Sequence, residues 1–160
     1  MSKYVAVIGP GADATNEDLA AARCTGRLLA DAGIIVINGG LQGVMAATAE
    51  GTQQAGGVSL GLLPGSDRQE ANQYLTLAIP TGFGELRNGL IIRSADAVIA
   101  IGGSWGTLNE VALALRLERP IICLNGWRLA DSAGNEIEIP RAENPRAAVD
   151  WVLARVLDDC

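Results

Sequence analysis

Short apolar runs alternate along the chain with longer segments whose apolar positions recur every three or four residues, and glycine-rich turns separate the two. Tyr4 to Ile8 (YVAVI) is the first run and ends in Gly9-Pro10-Gly11, the pattern of a buried strand. A helix follows, with Thr15 as N-cap, Glu17 and Asp18 in its first turn, apolar positions to Ala32 and Gly33 as its stop. Ile34 to Ile37 predicts a second strand, Gly43 to Ala55 a second helix, and Val58 to Leu63 a third strand. A polar loop from Pro64 to Gln73 leads into a weaker strand over Leu75 to Ile79.

The spacing then predicts a helix from Gly84 to Ser94, a strand from Ala97 to Ile101, a helix from Leu108 to Leu117 and a strand from Ile121 to Leu124. Trp127 to Leu129 and Glu136 to Ile139 flank a turn at Asp131-Ser132-Ala133-Gly134-Asn135, which reads as an antiparallel excursion. A last helix runs from Pro145 to Leu157, with Asn144 as its cap. Strands alternating with helices predict one α/β domain over residues 1–160. Its expected form is a Rossmann-like, doubly wound, mainly parallel sheet with helices on both faces. A ligand then belongs beyond the carboxyl ends of the strands.

Composition supports a buried sheet: 49% of residues are hydrophobic but only 4% aromatic, and 20 are glycine, so the core is built from Ala, Val, Ile and Leu. Net charge is −6, from 12 basic and 18 acidic residues, which argues against a nucleic-acid or anionic-membrane partner. A small anion is still allowed, because helix N-termini bind phosphate through backbone N–H groups. No apolar run reaches the length of a membrane span, and Met1-Ser2-Lys3-Tyr4 has no signal-peptide pattern, so a cytoplasmic protein is expected. The absence of histidine removes Ser–His and Cys–His nucleophile pairs and His-ligated metals. Cys24, Cys123 and Cys160 have neither metal-type nor redox-type spacing, and Cys24 and Cys123 read as small buried hydrophobes. No metal site is expected.

The candidate chemistry lies in the loops. Gly9-Pro10-Gly11-Ala12-Asp13-Ala14 matches the dinucleotide pattern G-x-G-x-x-A only formally. The second strand ends in Ile37-Asn38-Gly39-Gly40 without an acid for ribose hydroxyls, and Pro10 removes one N–H, so a nicotinamide dehydrogenase is disfavoured. In the second loop, Gly39 and Gly40 allow a sharp turn off the strand and Gly43 allows close approach at the helix start. The third loop, Gly102-Gly103-Ser104-Trp105-Gly106-Thr107, repeats that arrangement. Two such loops favour a phosphorylated ligand over plain tight turns.

Between them, Arg87 follows Gly82 and Gly84 after a strand end, which places it on the crevice side; Glu85 and Arg93 are weaker candidates. Thr107-Leu108-Asn109-Glu110 reads as a capping box, which would hold the Glu110 carboxylate at the crevice. Arg68, Glu70, Asn72, Phe83 and Trp105 are candidate lining residues, with Trp105 read as packing on the protein rather than stacking on a ligand.

Arg87-Asn88 followed by SADAVIAIGGSWGTLNE, with NGGLQGVM upstream, resembles the LOG or "lysine decarboxylase-like" family of Rossmann-type proteins over nearly the whole chain. The resemblance implies a phosphoribohydrolase that cleaves the N-glycosidic bond of a nucleoside 5′-monophosphate. Arg87 and Glu110 would be its catalytic pair. Gly39, Gly40, Gly43, Gly102, Gly103, Ser104, Gly106 and Thr107 would hold the phosphate, and no cofactor is required. A carboxylate fixed at Glu110 would stabilise positive charge developing on the ribose. Pyridoxal chemistry is not implied, since Lys3 is the only lysine.

Ile101 stands where the family has proline before the glycine pair, and Asn88 where it has lysine after the arginine. These changes resemble the short relatives that include molybdenum cofactor carrier proteins. They imply the alternative function: non-catalytic binding of a phosphorylated pterin, the molybdenum cofactor being the bound ligand. The DNA-uptake protein DprA is a further relative that binds single strands, against which the acidic charge argues. The resemblance also implies a homodimer or homotetramer.

Overall fold

The apolar runs lie side by side in a six-stranded sheet. In the computed structural model, which describes residues 2–157, the strands are β1 (Tyr4–Ile8), β2 (Ile35–Asn38), β3 (Ser59–Leu63), β4 (Leu77–Pro80), β5 (Ala97–Ile101) and β6 (Ile121–Leu124). Their order is β4-β3-β2-β1-β5-β6, and every pairing is parallel. Helices α1 (Asn16–Asp31), α2 (Val44–Gln54) and α5 (Pro145–Val156) cover one face, and α3 (Asn88–Ser94) and α4 (Trp105–Arg116) the other. This is the expected doubly wound α/β fold.

Alternation along each strand feeds two cores. Val5, Val7, Val36 and Ile99 pack under α1, α2 and α5, while Ala6, Ile8, Ile37 and Val98 pack under α3 and α4. Because both faces are covered, the central strands are apolar throughout rather than alternating with polar residues. The chain winds outward from β1 in one direction to β4, then returns to place β5 on the other side of β1. A crevice opens where that order reverses, at the carboxyl ends of the strands.

Helix α1 starts as its sequence predicts. Thr15 Oγ1 accepts the Asp18 N–H at 3.1 Å, and the Asp18 carboxylate accepts the Thr15 N–H at 3.0 Å. Other boundaries differ. The helix expected over Gly84 to Ser94 divides into a 3-10 turn, Gly84–Arg87, and the short α3. Strand β4 begins at Leu77 rather than Leu75. The antiparallel excursion shrinks to one bridge, Ala130 with Glu136, because the Asp131 carboxylate gathers the N–H groups of Ala133 and Asn135 into a tight turn. Cys123 is buried and Cys24 half-buried, while Cys160 lies outside the described residues. No helix among the described residues is long and apolar enough to cross a membrane.

Candidate functional site

The loop after β2 is tied down from within. Asn38 is fully buried; its Oδ1 accepts the Gly40 N–H at 2.8 Å and its Nδ2 donates to the Met45 carbonyl at 3.1 Å. Asn72 adds two more bonds, donating to the carbonyls of Gly40 at 3.1 Å and Leu41 at 2.9 Å. Gly43 has φ +69°, and a Cβ there would collide with the Gly11 carbonyl. The Val44 N–H donates to Pro10 O at 3.0 Å, so the first and second loops are strapped together.

The third loop turns at Gly102, whose N–H bonds Leu124 O at 3.0 Å. Its φ is +63°, and an added Cβ would meet the Asp18 carboxylate. Helix α4 begins at Trp105, three residues before the predicted start at Leu108. Ser104 has extended backbone and its hydroxyl accepts the Thr107 N–H at 3.3 Å, which makes it the cap that the sequence had assigned to Thr107. Glu110 is therefore not a capping residue. The earlier start carries it into the second turn, on the side of the helix that faces the sheet, and it is only 7% exposed.

These loops enclose a cleft of about 330 Å³. Of the predicted site residues, Gly39, Arg87, Ser104, Gly106, Thr107 and Glu110 line it together. Gly40, Gly43, Gly102 and Gly103 do not; they shape the turns that carry the lining residues, Gly103 standing against Trp127. The sequence reading missed Gly9, Gly11 and Asn88, which also line the cleft. The signal for the first two was present as a glycine turn at a strand's carboxyl end, but that loop was weighed only as a dinucleotide site.

Arg87 closes the 3-10 turn, is 8% exposed, and has its Nε buried without a hydrogen-bond partner. Its guanidinium lies against Gly39, where a Cβ would collide with it, so the bare glycine is what admits the side chain. Burial lowers the Arg87 pKa and the neighbouring Glu110 partly offsets that. Burial raises the Glu110 carboxyl to about 7, against the opposing pull of Arg87. The two act through space rather than as a close ion pair: the salt bridges among the described residues are Arg23–Glu50 and Arg128–Glu136.

A buried guanidinium whose Nε has no partner is chemically equipped to hold an anion. The amide of Gly106, in the first turn of α4 where N–H groups have no intrahelical partner, adds a donor at the same cleft. Thr107 and Ser104 hydroxyls lie 3.0 Å apart beside it.

A second hollow of about 410 Å³ adjoins the cleft and shares Glu85, Asn88 and Gly106 with it. Trp105 forms part of its wall. The ring packs on Trp127 with centroids 5.2 Å apart, as expected of a residue packing on the protein, yet Trp105 remains 78% exposed. Of the other candidate lining residues, Asn72 is structural, and Arg68, Glu70 and Phe83 border neither hollow.

The model of the SLOG cluster4 family matches residues 2–149. An uncharacterised protein of Archaeoglobus fulgidus is 39% identical over 135 residues, 80% of this chain and 87% of that protein. The solved structure of the molybdenum cofactor binding protein from the phototrophic bacterium Rippkaea orientalis superposes with a TM-score of 0.87 at 33% identity, covering 96% of this chain and 97% of that one. The Moco carrier protein from Chlamydomonas reinhardtii does so with a TM-score of 0.86 at 30% identity, covering 99% of each chain.

Proposed function

We propose, starting from a chain that belongs to the SLOG cluster4 family, that it binds a phosphorylated pterin of the molybdenum cofactor type as cargo and does not hydrolyse it. The observation that carries this reading is the buried Arg87 with its unpartnered Nε, its guanidinium set in the cleft where a Cβ on Gly39 would displace it. Such a site grips a phosphate. Arg87 would supply the charge, and Gly106 and Thr107 the neutral donors. The likeness to a molybdenum cofactor binding protein and a Moco carrier protein over nearly their whole lengths supports a pterin as the rest of the ligand. We assign the grip on the cofactor to its phosphate, through Arg87 and the donors beside it, and to its ring.

A second reading rests on Glu110. A carboxyl beside the phosphate site could stabilise an oxocarbenium-like ribose, and the protein would then cleave a nucleoside 5′-monophosphate. Burial holds that group at about 7, so much of it is neutral at neutral pH, which suits a binding site better than a fixed anion for catalysis.

Native mass spectrometry of the purified protein, followed by incubation with AMP, separates the two. A copurifying pterin mass with AMP left intact is the expected result. Free adenine and ribose 5-phosphate, lost in Glu110→Ala, would overturn the carrier reading.

We further infer that copies associate through the face carrying α3, where Ile79, Phe83 and Leu90 are exposed apolar residues. The net charge of −6 argues against a nucleic-acid partner. The compartment in this reading is the cytoplasm.

A further inference from the structure

The hollow beside the cleft is neither an extension of the core nor a plain apolar patch. Trp105 presents most of its indole to solvent at 78% exposure, while one side of the ring rests on the protein. Its ring is backed by Trp127 at 5.2 Å and an interplanar angle of 40°, and Trp127 is itself pinned by donating its Nε1–H to the Ser104 carbonyl at 3.1 Å. A large aromatic side chain backed on one side and left uncovered on the other offers an open face for stacking. Opposite sources of polarity stand at the same hollow. Asn88 Nδ2 donates to Asn109 Oδ1 at 3.2 Å, which uses the Asn109 carbonyl and leaves its amide nitrogen without a partner among the described residues. Glu85 adds an exposed carboxylate bordering both hollows.

We infer that this hollow is the subsite for the planar heterocycle of the phosphorylated ligand, with Trp105 as the surface on which the ring stacks and Asn109 and Glu85 as the groups that read its edge. The inference rests on the reading of the neighbouring cleft as a phosphate site. Continuity supports it: the two hollows share Glu85, Asn88 and Gly106, so one ligand can occupy both without crossing a wall. Each hollow is near the lower limit of an ordinary small-molecule pocket, and together they suit a phosphate joined to a ring system. The chemistry also selects among rings. An amide N–H donor beside a carboxylate acceptor matches an edge that presents a ring acceptor beside an amino group or N–H, as aminopurines and pterins both do.

The test measures binding of three probes to the full chain: ribose 5-phosphate, which lacks a ring system, GMP, and 6-hydroxymethylpterin monophosphate. Trp105→Ala is expected to weaken both ring-bearing probes by about 10- to 100-fold, the loss that follows removal of one stacking partner. Ribose 5-phosphate should bind as before, and Trp105→Phe should keep most of the affinity. The tighter of the two ring-bearing probes identifies the source of the heterocycle. Equal weakening of all three probes, or none, overturns the inference. So does a change in oligomeric mass by light scattering with probe affinities intact, which would give the surface to a second copy of the chain. If GMP or the pterin binds and loses affinity in Trp105→Ala while ribose 5-phosphate does not bind wild type, the ring subsite stands and the phosphate cleft fails. If neither ring-bearing probe binds wild type, the ring subsite falls. Trp105 is exposed, so its replacement leaves the core untouched, and unchanged circular dichroism checks this.

Discussion

In the proposed phosphate site, Glu110 is the residue whose charge would set how the cleft treats an anion. Below about pH 7 the carboxyl is mainly neutral, and Arg87 would hold a phosphate unopposed; above it, the carboxylate would repel the ligand. The phosphate's own second ionisation near pH 6 affects every variant alike, so a ratio isolates the side chain. The ribose 5-phosphate affinity of Glu110→Gln relative to wild type should therefore rise as pH passes from 6 to 8, and a flat ratio would rule out this role. The same group is linked to folding. Its native pKa is raised above the ordinary 4.5, so its contribution is fully present below that value and is lost as pH rises through about 7. Denaturant melts at pH 4 and pH 8 should show wild type losing roughly 3 kcal/mol more than Glu110→Gln across that interval. Both Arg87 and Glu110 were legible as candidates in the sequence, because the motifs around them resemble those of a known family. The reason for Glu110's placement was not, since the sequence marked Thr107 as the cap and only the fold puts Ser104 in that role.

At the scale of elements, the caps separate stability from binding. Ser104 Oγ caps α4 and also borders the cleft, whereas Asn144 Oδ1 caps α5 by accepting the Ala147 N–H at 2.9 Å, away from it. Ser104→Ala and Asn144→Ala should each cost about 1 kcal/mol in denaturant unfolding. Only Ser104→Ala should also weaken ribose 5-phosphate, and equal binding in both variants would remove Ser104 from the site. The strands and long helices were readable because each is a short apolar run or an amphipathic repeat bounded by its own stop signal. The segment around Arg87 was less so. Gly84 and the buried Arg87 demand a tight 3-10 turn before α3 can begin, and neither demand has a periodic signature. That Pro10 and Gly11 lie on Gly43 and Val44 is likewise a tertiary fact, invisible in either loop alone.

Across the whole molecule, the two faces of the sheet are not equally clothed. Leu77 and Ile79 of edge strand β4 pair with Leu60 and Leu62, whose side chains turn toward the α3 and α4 side, yet they are 56% and 48% exposed. With Phe83 and Leu90 they leave apolar surface uncovered. If copies associate there, Ile79→Lys combined with Leu90→Glu should reduce the mass seen by light scattering to that of one chain. A wild type already at that mass would refute the association. The fold class followed from the order of apolar runs, but which edge stayed bare depended on where so few helices could reach. The placement of β5 has a different consequence. It pairs with β1 across most of the chain, Val5 meeting Ala97, and it brings the Arg87 and Glu110 segments to loops made near the start. During synthesis, the early loops leave the ribosome well before their charged partners exist. Under the proposed binding, a newly made chain could hold a phosphate in this cleft only after residue 110 has emerged and β5 has docked beside β1. The cleft is thereby completed late in synthesis and not with its first loops.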